Sequence, residues 1–316
     1  MSDQTIQMGF WVAFLAATLR IATPLILTSL GGVINEKSGV TNIGLEGIMV
    51  MGAFFAVVGS EYTHNPWIGL LTGIVAGIVT AGIHAFLSIT LKADQIISGT
   101  AINTLATALP SMLLFILFGM QSQSEGVHRI EYSEGVRSAL GSIPLIGTFL
   151  LQLNYMVYFA IFMAIFLTFM FNRSRWGLRL KAVGEHPKAA DTLGINVIKT
   201  RYKAVIFSGI LAAMGGASLS IVSGNIYRDG MINGRGFIAL AAMIFGNWTP
   251  LGALGASLLF GAAEALQIRS QSIGLPLPTE FYYILPYLLT MVAITAFGKK
   301  SHMPAALGKP YEKGQR

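Results

Sequence analysis

The chain has 316 residues, 53% of them hydrophobic and only 11% charged, against about 25% charged residues in a typical soluble domain. One core of this size cannot hide so much apolar surface, which excludes a soluble globular protein, and the absence of cysteine excludes disulfides and thiolate metal sites. Its 21 Lys and Arg outnumber its 14 Asp and Glu, but they cluster in two short segments, which fits the positive-inside bias of a membrane protein better than a nucleic-acid surface.

The opening "MSDQTIQM" lacks the basic region of a cleavable signal peptide, and the apolar stretch after it runs too long for one. A first span is expected at about 9–34 and carries one charge, Arg20. "SGVTNIGLEGIMVMG" (38–52) opens a second span at about 42–60, with Glu46 about one turn inside, Gly44 and Gly47 beside it and Asn42 upstream. Glycines allow an irregular helix start whose open backbone groups Asn42 and Glu46 can satisfy, and an acid in a first turn complements the helix dipole. The other reading is that both residues line a path.

A third span is expected at 67–91, with His84 its sole ionisable side chain and a face of Gly73, Gly77, Ala81 and Ala85, and a fourth at 97–119, with Asn103 inside it. Small residues at this spacing let helices approach closely in lipid. Segment 120–152 is polar and balanced, Arg129 and Arg137 standing against Glu125, Glu131 and Glu134. A fifth span follows at about 153–171.

Residues 172–203 hold eight of the 21 basic residues. Their centre is expected to be a short helix, with Pro187 at its first position and Gly194 as its stop. Span 204–223 repeats the small-residue face in Gly209, Ala213 and Ala217, and "GNIYRDGMINGRG" is expected as an outer loop. The next apolar run is broken by "GNWTP", since Pro250 disfavours helix at the residue before it. This gives elements at 236–247 and 251–268, with Glu264 near the end of the second. A last span is expected at 281–297, and the tail 298–316 holds five more bases.

Placing 172–203 and the tail in the cytoplasm puts 120–152 and the N-terminus outside, and parity then makes 236–247 short or only partly crossing. The expectation is an all-α polytopic membrane protein, a single transmembrane domain over 1–316 with about nine helices, within eight to ten, some of them broken. "GVTNIGL" (39–45) also echoes "GRGFIAL" (234–240), as an internal repeat would.

The chain contains no G-x-x-x-x-G-K-[ST], HExxH or GxSxG pattern, and His64, His84, His128, His186 and His302 are scattered. This argues against an enzyme, and any ATP that drives the protein must bind another chain.

Glu185, then Ala189 and Ala190, then Gly194 and Ile195 resemble the "EAA…G" coupling loop of ABC importer permeases. The longer string "GLRLKAVGEHPKAADTLGINV" is similar to the permease family containing the ribose, branched-chain amino acid and nucleoside uptake systems. "ATPLILTSLGGVINEKSGVTNIGLEGIMVMGAF" (22–54) and "IFGNWTPLGALGASLLFGAAEALQ" (244–267) resemble its nucleoside branch. The resemblance implies a transmembrane subunit of a nucleoside importer in the bacterial plasma membrane. Implied partners are a related second permease, a separate ATPase subunit that binds ATP and Mg, and an extracytoplasmic substrate-binding lipoprotein, with no cofactor in this chain. It also implies that Glu185, Ala189, Ala190 and Gly194 carry coupling to the ATPase, with His186 and Asp191 in the same stretch.

A charge at the bilayer centre costs at least about 2.5–3.5 kcal/mol and normally faces protein or water, which singles out Arg20, Glu46 and Glu264. A nucleoside path needs sparse polar groups and aromatic faces. Asn42, Glu46, Asn103 and Asn247 fit the first need, with Phe237 and Trp248 as stacking surfaces. The alternatives are an ABC permease for a simple sugar such as ribose, and an ion-coupled transporter in which Glu46 or Glu264 binds the ion.

Overall fold

A computed structural model describes residues 3–119, 122–143, 146–273 and 302–312, together with the single residues Phe281, Ile284, Leu288 and Met291. Its helices are α1 (Asp3–Glu36), α2 (Leu45–Thr63), α3 (Pro66–Ala85), α4 (Gln95–Phe118), α5 (Glu134–Gly141) and α6 (Ile146–Gln152). There follow α7 (Tyr155–Arg173), α8 (Arg175–Glu185), α9 (Pro187–Thr192), α10 (Val197–Ala217), α11 (Arg235–Phe245) and α12 (Pro250–Ile273). Wider π turns extend α3 through Phe86–Thr90 and α10 through Ser218–Ser223. Among the described residues seven helices are long and apolar enough to cross a membrane: α1, α2, α3, α4, α7, α10 and α12. The seventh expected element in chain order, 236–247, is α11, 11 residues long and too short to cross. The ninth, at 281–297, falls outside the described residues apart from four helical positions.

The bundle centres on α2 and α10. α2 packs against α3 and α10, α1 against α10 and α12, and α7 lies on α1, while α4 touches mainly α2. The two small-residue faces meet each other. A methyl group on Gly77 would stand 2.7 Å from the Gly209 carbonyl, and one on Gly209 would run into Ala81. The glycines thus serve backbone approach, as the sequence pattern implies.

One expectation changes and a second sharpens. α10 starts at Val197, seven residues early, so Lys199, Arg201 and Lys203 belong to a helix and not to a loop. They read as loop because charge argues against a span, yet Arg201 is only 2% exposed and donates to the Ser38 and Lys309 carbonyls (3.2 and 3.0 Å). The segment 224–234, expected as an outer loop, is in addition tied to the bundle at both ends. Its first residues pair with 122–130 at one end of the bundle, Ser124 N–H donating to Tyr227 O (2.8 Å) and Val127 N–H to Asn225 O (2.7 Å). Its last residues reach the first turn of α2 at the other end. Tyr227 and Ile232 are buried while Asn225, Arg228, Gly230 and Asn233 are exposed, so irregular chain at this depth fits where it borders an aqueous opening.

The echo between 39–45 and 234–240 is partial. Gly39 and Gly234 both have positive φ (87° and 79°), but α11 begins directly after Gly234 and α2 only at Leu45.

Candidate functional site

The start of α2 is built from buried, irregular chain. Asn35 Nδ2 donates to Val40 O (3.0 Å), Thr41 N–H donates to Gln95 Oε1 (2.7 Å), and the His84 Nε2–H donates to Thr41 O (2.9 Å). The first backbone N–H groups of a helix lack partners within it, and here side chains supply them. Asn42 Oδ1 accepts from Gly44 N–H (2.9 Å). Asn103 reaches across from α4, its Oδ1 accepting from Gly47 N–H (2.8 Å) and its Nδ2 donating to Ile43 O (3.1 Å).

Glu46 does the same for the next helix. Its Oε1 accepts from Gly234 N–H (2.8 Å) and its Oε2 from Gly236 N–H (2.6 Å), closing the start of α11. The carboxylate stands in the first turn of α2 and at the N-terminus of α11, so two positive helix ends converge on one negative charge. Gly236 permits the approach, since a methyl group there would lie 2.5 Å from Glu46 Cα. The sequence suggests that Glu46 serves its own helix; its partners in fact lie 188 and 190 residues away.

The remaining intramembrane candidates divide. Glu264 pairs with Arg235 at 2.5 Å, joining α12 to the head of α11. Arg20 is exposed on α1 and lines a cavity of about 910 Å³ with Tyr132, Tyr155 and Arg235. Phe237 is 47% exposed on α11, and Asn103 is half-buried. Trp248 is buried, and its Nε1–H donates to the equally buried Glu36 (2.5 Å), so its ring is not an open stacking surface. The Asn247 side chain is likewise spent within the chain, on His302. The two-helix turn holds Asn247 and Trp248 in left-handed conformations, φ 54° and 52°, a strained state for a residue as bulky as Trp.

At the basic end, α8 and α9 form a hairpin. Pro187 opens α9, and the N–H groups of Gly194 and Ile195 return to Asp191 O (2.9 Å) and Ala190 O (3.0 Å), with Gly194 at φ 78°. That closure is the Schellman stop that its glycine predicts. The two alanines do not share an open face. Ala189 is exposed, while Ala190 is buried against Val183 and Val197. Glu185 and His186 are exposed, Glu185 Oε2 accepting from Ala305 N–H (3.3 Å), and Asp191 is half-buried. Burial holds the Lys37 ammonium beneath this hairpin below its usual range, with Glu185 opposing the shift and Lys181 adding to it. Sequence reasoning missed Leu193, which is 80% exposed at the C-terminal end of α9. A leucine beside a helix stop was the available signal.

α4 has the smallest buried share of the seven long helices. It turns Thr100, Thr104 and Thr107 outward with Ser111 half-buried, each hydroxyl bonded to a carbonyl of its own helix.

Residues 14–294 match the family described as "Branched-chain amino acid transport system / permease component". The chain is 42% identical over 309 residues to the guanosine ABC transporter permease protein NupQ of Bacillus subtilis, covering 95% of this chain and 96% of that one. It is 41% identical over 310 residues to the nucleoside ABC transporter permease protein NupC of Lactococcus lactis subsp. cremoris, with the same coverage. TsgC13 of Haloferax volcanii, a permease assigned to glucose ABC transport, is 39% identical over 85% of this chain and 81% of its own. Among solved structures, an ABC transporter assigned to the metal-chelate type, in an inward-facing conformation, aligns with a TM-score of 0.52 at 17% identity. That alignment covers 94% of this chain and 90% of the other, a likeness of fold.

Proposed function

The chain belongs to the family of branched-chain amino acid transport permease components, and on that footing we propose that it is the membrane subunit through which an ABC importer carries nucleosides. It is a multi-pass membrane protein and a transport subunit. The observation that carries the choice of cargo is the near-full-length identity of 42% and 41% to permeases named for guanosine and nucleosides.

In this reading the basic end faces the cytoplasm and the α8–α9 hairpin docks on an ATPase that binds ATP and Mg. A related permease packs against this chain, and an extracytoplasmic lipoprotein delivers cargo at the opposite end. The outward hydroxyls of α4 stand beside exposed apolar side chains, Ile97, Leu105, Met112 and Phe115 among them, so in this reading the helix meets lipid along one part of its surface and the path or the second permease along another. Asn103, half-buried on α4, belongs to the same route.

A strain lacking this chain is expected to lose accumulation of labelled guanosine, adenosine and uridine, and to regain it when the chain is restored. Intact nucleoside uptake with lost glucose or ribose uptake would reassign the cargo to sugars, the reading that the likeness to TsgC13 favours.

Leu193 is the apolar anchor of the docking surface. Leu193→Asp is expected to weaken retention of the ATPase about tenfold or more, since a central apolar anchor is worth roughly 2 kcal/mol. Co-purification on a tagged chain measures this, with the chain's own membrane level unchanged. Full retention of the ATPase would remove Leu193 from the interface.

A further inference from the structure

The segment 302–312 contains no helix, yet it is tied along its whole length. His302 N–H donates to Asn247 Oδ1 (2.7 Å), and Asn247 Nδ2 donates to His302 Nδ1 (2.9 Å), which fixes the segment to the α11–α12 turn. Ala305 N–H donates to Glu185 Oε2 (3.3 Å) and Ala306 N–H to Gly184 O (2.9 Å), both on α8. Gly308 N–H donates to Gly39 O (3.1 Å), in the turn that leads to α2. Lys309 O accepts from Arg201 of α10 (3.0 Å), Tyr311 packs with the cluster holding Ala190 of α9, and Glu312 pairs with Lys92 at 2.6 Å.

An irregular segment held at so many points is the exception, since unanchored segments fray. What matters is which elements are joined. The hairpin proposed to meet the ATPase makes bonds to the segment at one point, and the α11–α12 turn makes them at another. From that turn α11 runs as one 11-residue helix, a rod of about 16 Å, to the glycines held by Glu46. Arg201 ties the α1–α2 turn to the same segment: its guanidinium donates to the Ser38 and Lys309 carbonyls and pairs with no acid among the described residues.

We infer that residues 302–312 are the strap that transmits movement of the α8–α9 hairpin to α11, with Asn247 and Arg201 as its positioning residues. This rests on the reading of the hairpin as the ATPase contact. The two consecutive left-handed residues at Asn247 and Trp248 mark the receiving end: a strained turn is held in place by His302 on one side and Glu36 on the other. Coupling of this kind needs a contiguous element that both sites bias, and the strap, the turn and α11 form one.

The test uses the complete transporter in proteoliposomes. The chain has no cysteine, so a single Phe237→Cys reports α11 through its rate of maleimide labelling. That rate is expected to differ at least threefold between nucleotide-free and vanadate-trapped states. Adding Asn247→Ala is expected to leave ATP hydrolysis within twofold, to erase the difference in labelling, and to lower nucleoside uptake per ATP tenfold or more. In a second variant, Asn247→Cys with His302→Cys, uptake is expected to recover when the pair is oxidised and to fall when it is reduced. The proposal is overturned if residue 237 does not respond to nucleotide in the parent, or still responds after Asn247→Ala. It is equally overturned if ATP hydrolysis and assembly are lost together with uptake, or if the cysteine pair fails to bridge or bridges without recovery. Labelling at 237 needs no cargo, so a transporter that responds there but accumulates no nucleoside counts against the cargo alone.

Discussion

Glu46→Ala is expected to reduce uptake more than tenfold and to lower the thermal stability of the purified chain. The carboxylate accepts two backbone N–H bonds at 2.8 and 2.6 Å. Hydrogen bonds to a charged group are worth about 1.5–3 kcal/mol each, so losing both removes roughly 3 kcal/mol or more from the hold on α11. Two enclosed donors at the helix start are then left open, and the negative charge facing two helix N-termini is gone. Glu46→Gln is expected to fall between alanine and the parent. The amide keeps one acceptor oxygen but turns an NH2 group against the other N–H. Uptake assays paired with thermal unfolding measure both variants. Uptake within twofold of the parent in Glu46→Ala would mean that α11 keeps its place without this hold.

The second large effect is expected at Gly216. A methyl group there would land on the Met49 carbonyl, where α10 meets α2 at the centre of the bundle. The obstacle is backbone, so no rotamer change relieves it and the two helices must part. Overpacking of this kind costs about 1–3 kcal/mol or more. Gly216→Ala is therefore expected to cut the membrane yield of folded chain severely. Gly255 on α12 provides the control, because a methyl group there meets nothing within 4 Å. Gly255→Ala is expected to be neutral or to add up to about 1 kcal/mol through helix propensity. Equal yields for the two variants would show that α2 and α10 can separate freely.

Much of the architecture is legible in the sequence because its signals are local. Charge-free runs mark the long helices, Pro250 marks the break before α12, and Pro187 with Gly194 brackets α9 within a residue or two. The small-residue stripes on α3 and α10 announce the contact that they make. What escapes is every feature set by distant partners. Arg201 reads as loop because its acceptors, Ser38 and Lys309, are 163 and 108 residues away. Ala190 looks like a seat for a partner until Val183 and Val197 are seen to cover it. Asn42, Asn247 and Trp248 look like path residues because polar and aromatic groups beside a helix break suit a ligand as well as a backbone. In the structure each bonds within the chain, through Asn42 Oδ1, the Asn247 amide and Trp248 Nε1, and no local pattern announces those partners.

The closing of one helix start by a side chain from another also bears on how the protein is made. When α2 first enters the membrane, Gly47 N–H must wait for Asn103, 56 residues later in the chain. Glu46 must wait much longer. Its partners follow 188 and 190 residues behind it, which at synthesis rates of about 5–20 residues per second is roughly 10–40 s. For that interval a bare carboxylate and an unfinished helix end have only water, lipid head groups or the insertion machinery to satisfy them. The first turn of α2 must therefore idle near the membrane surface during translation, and it takes its final depth only when α4, and then α11, arrive.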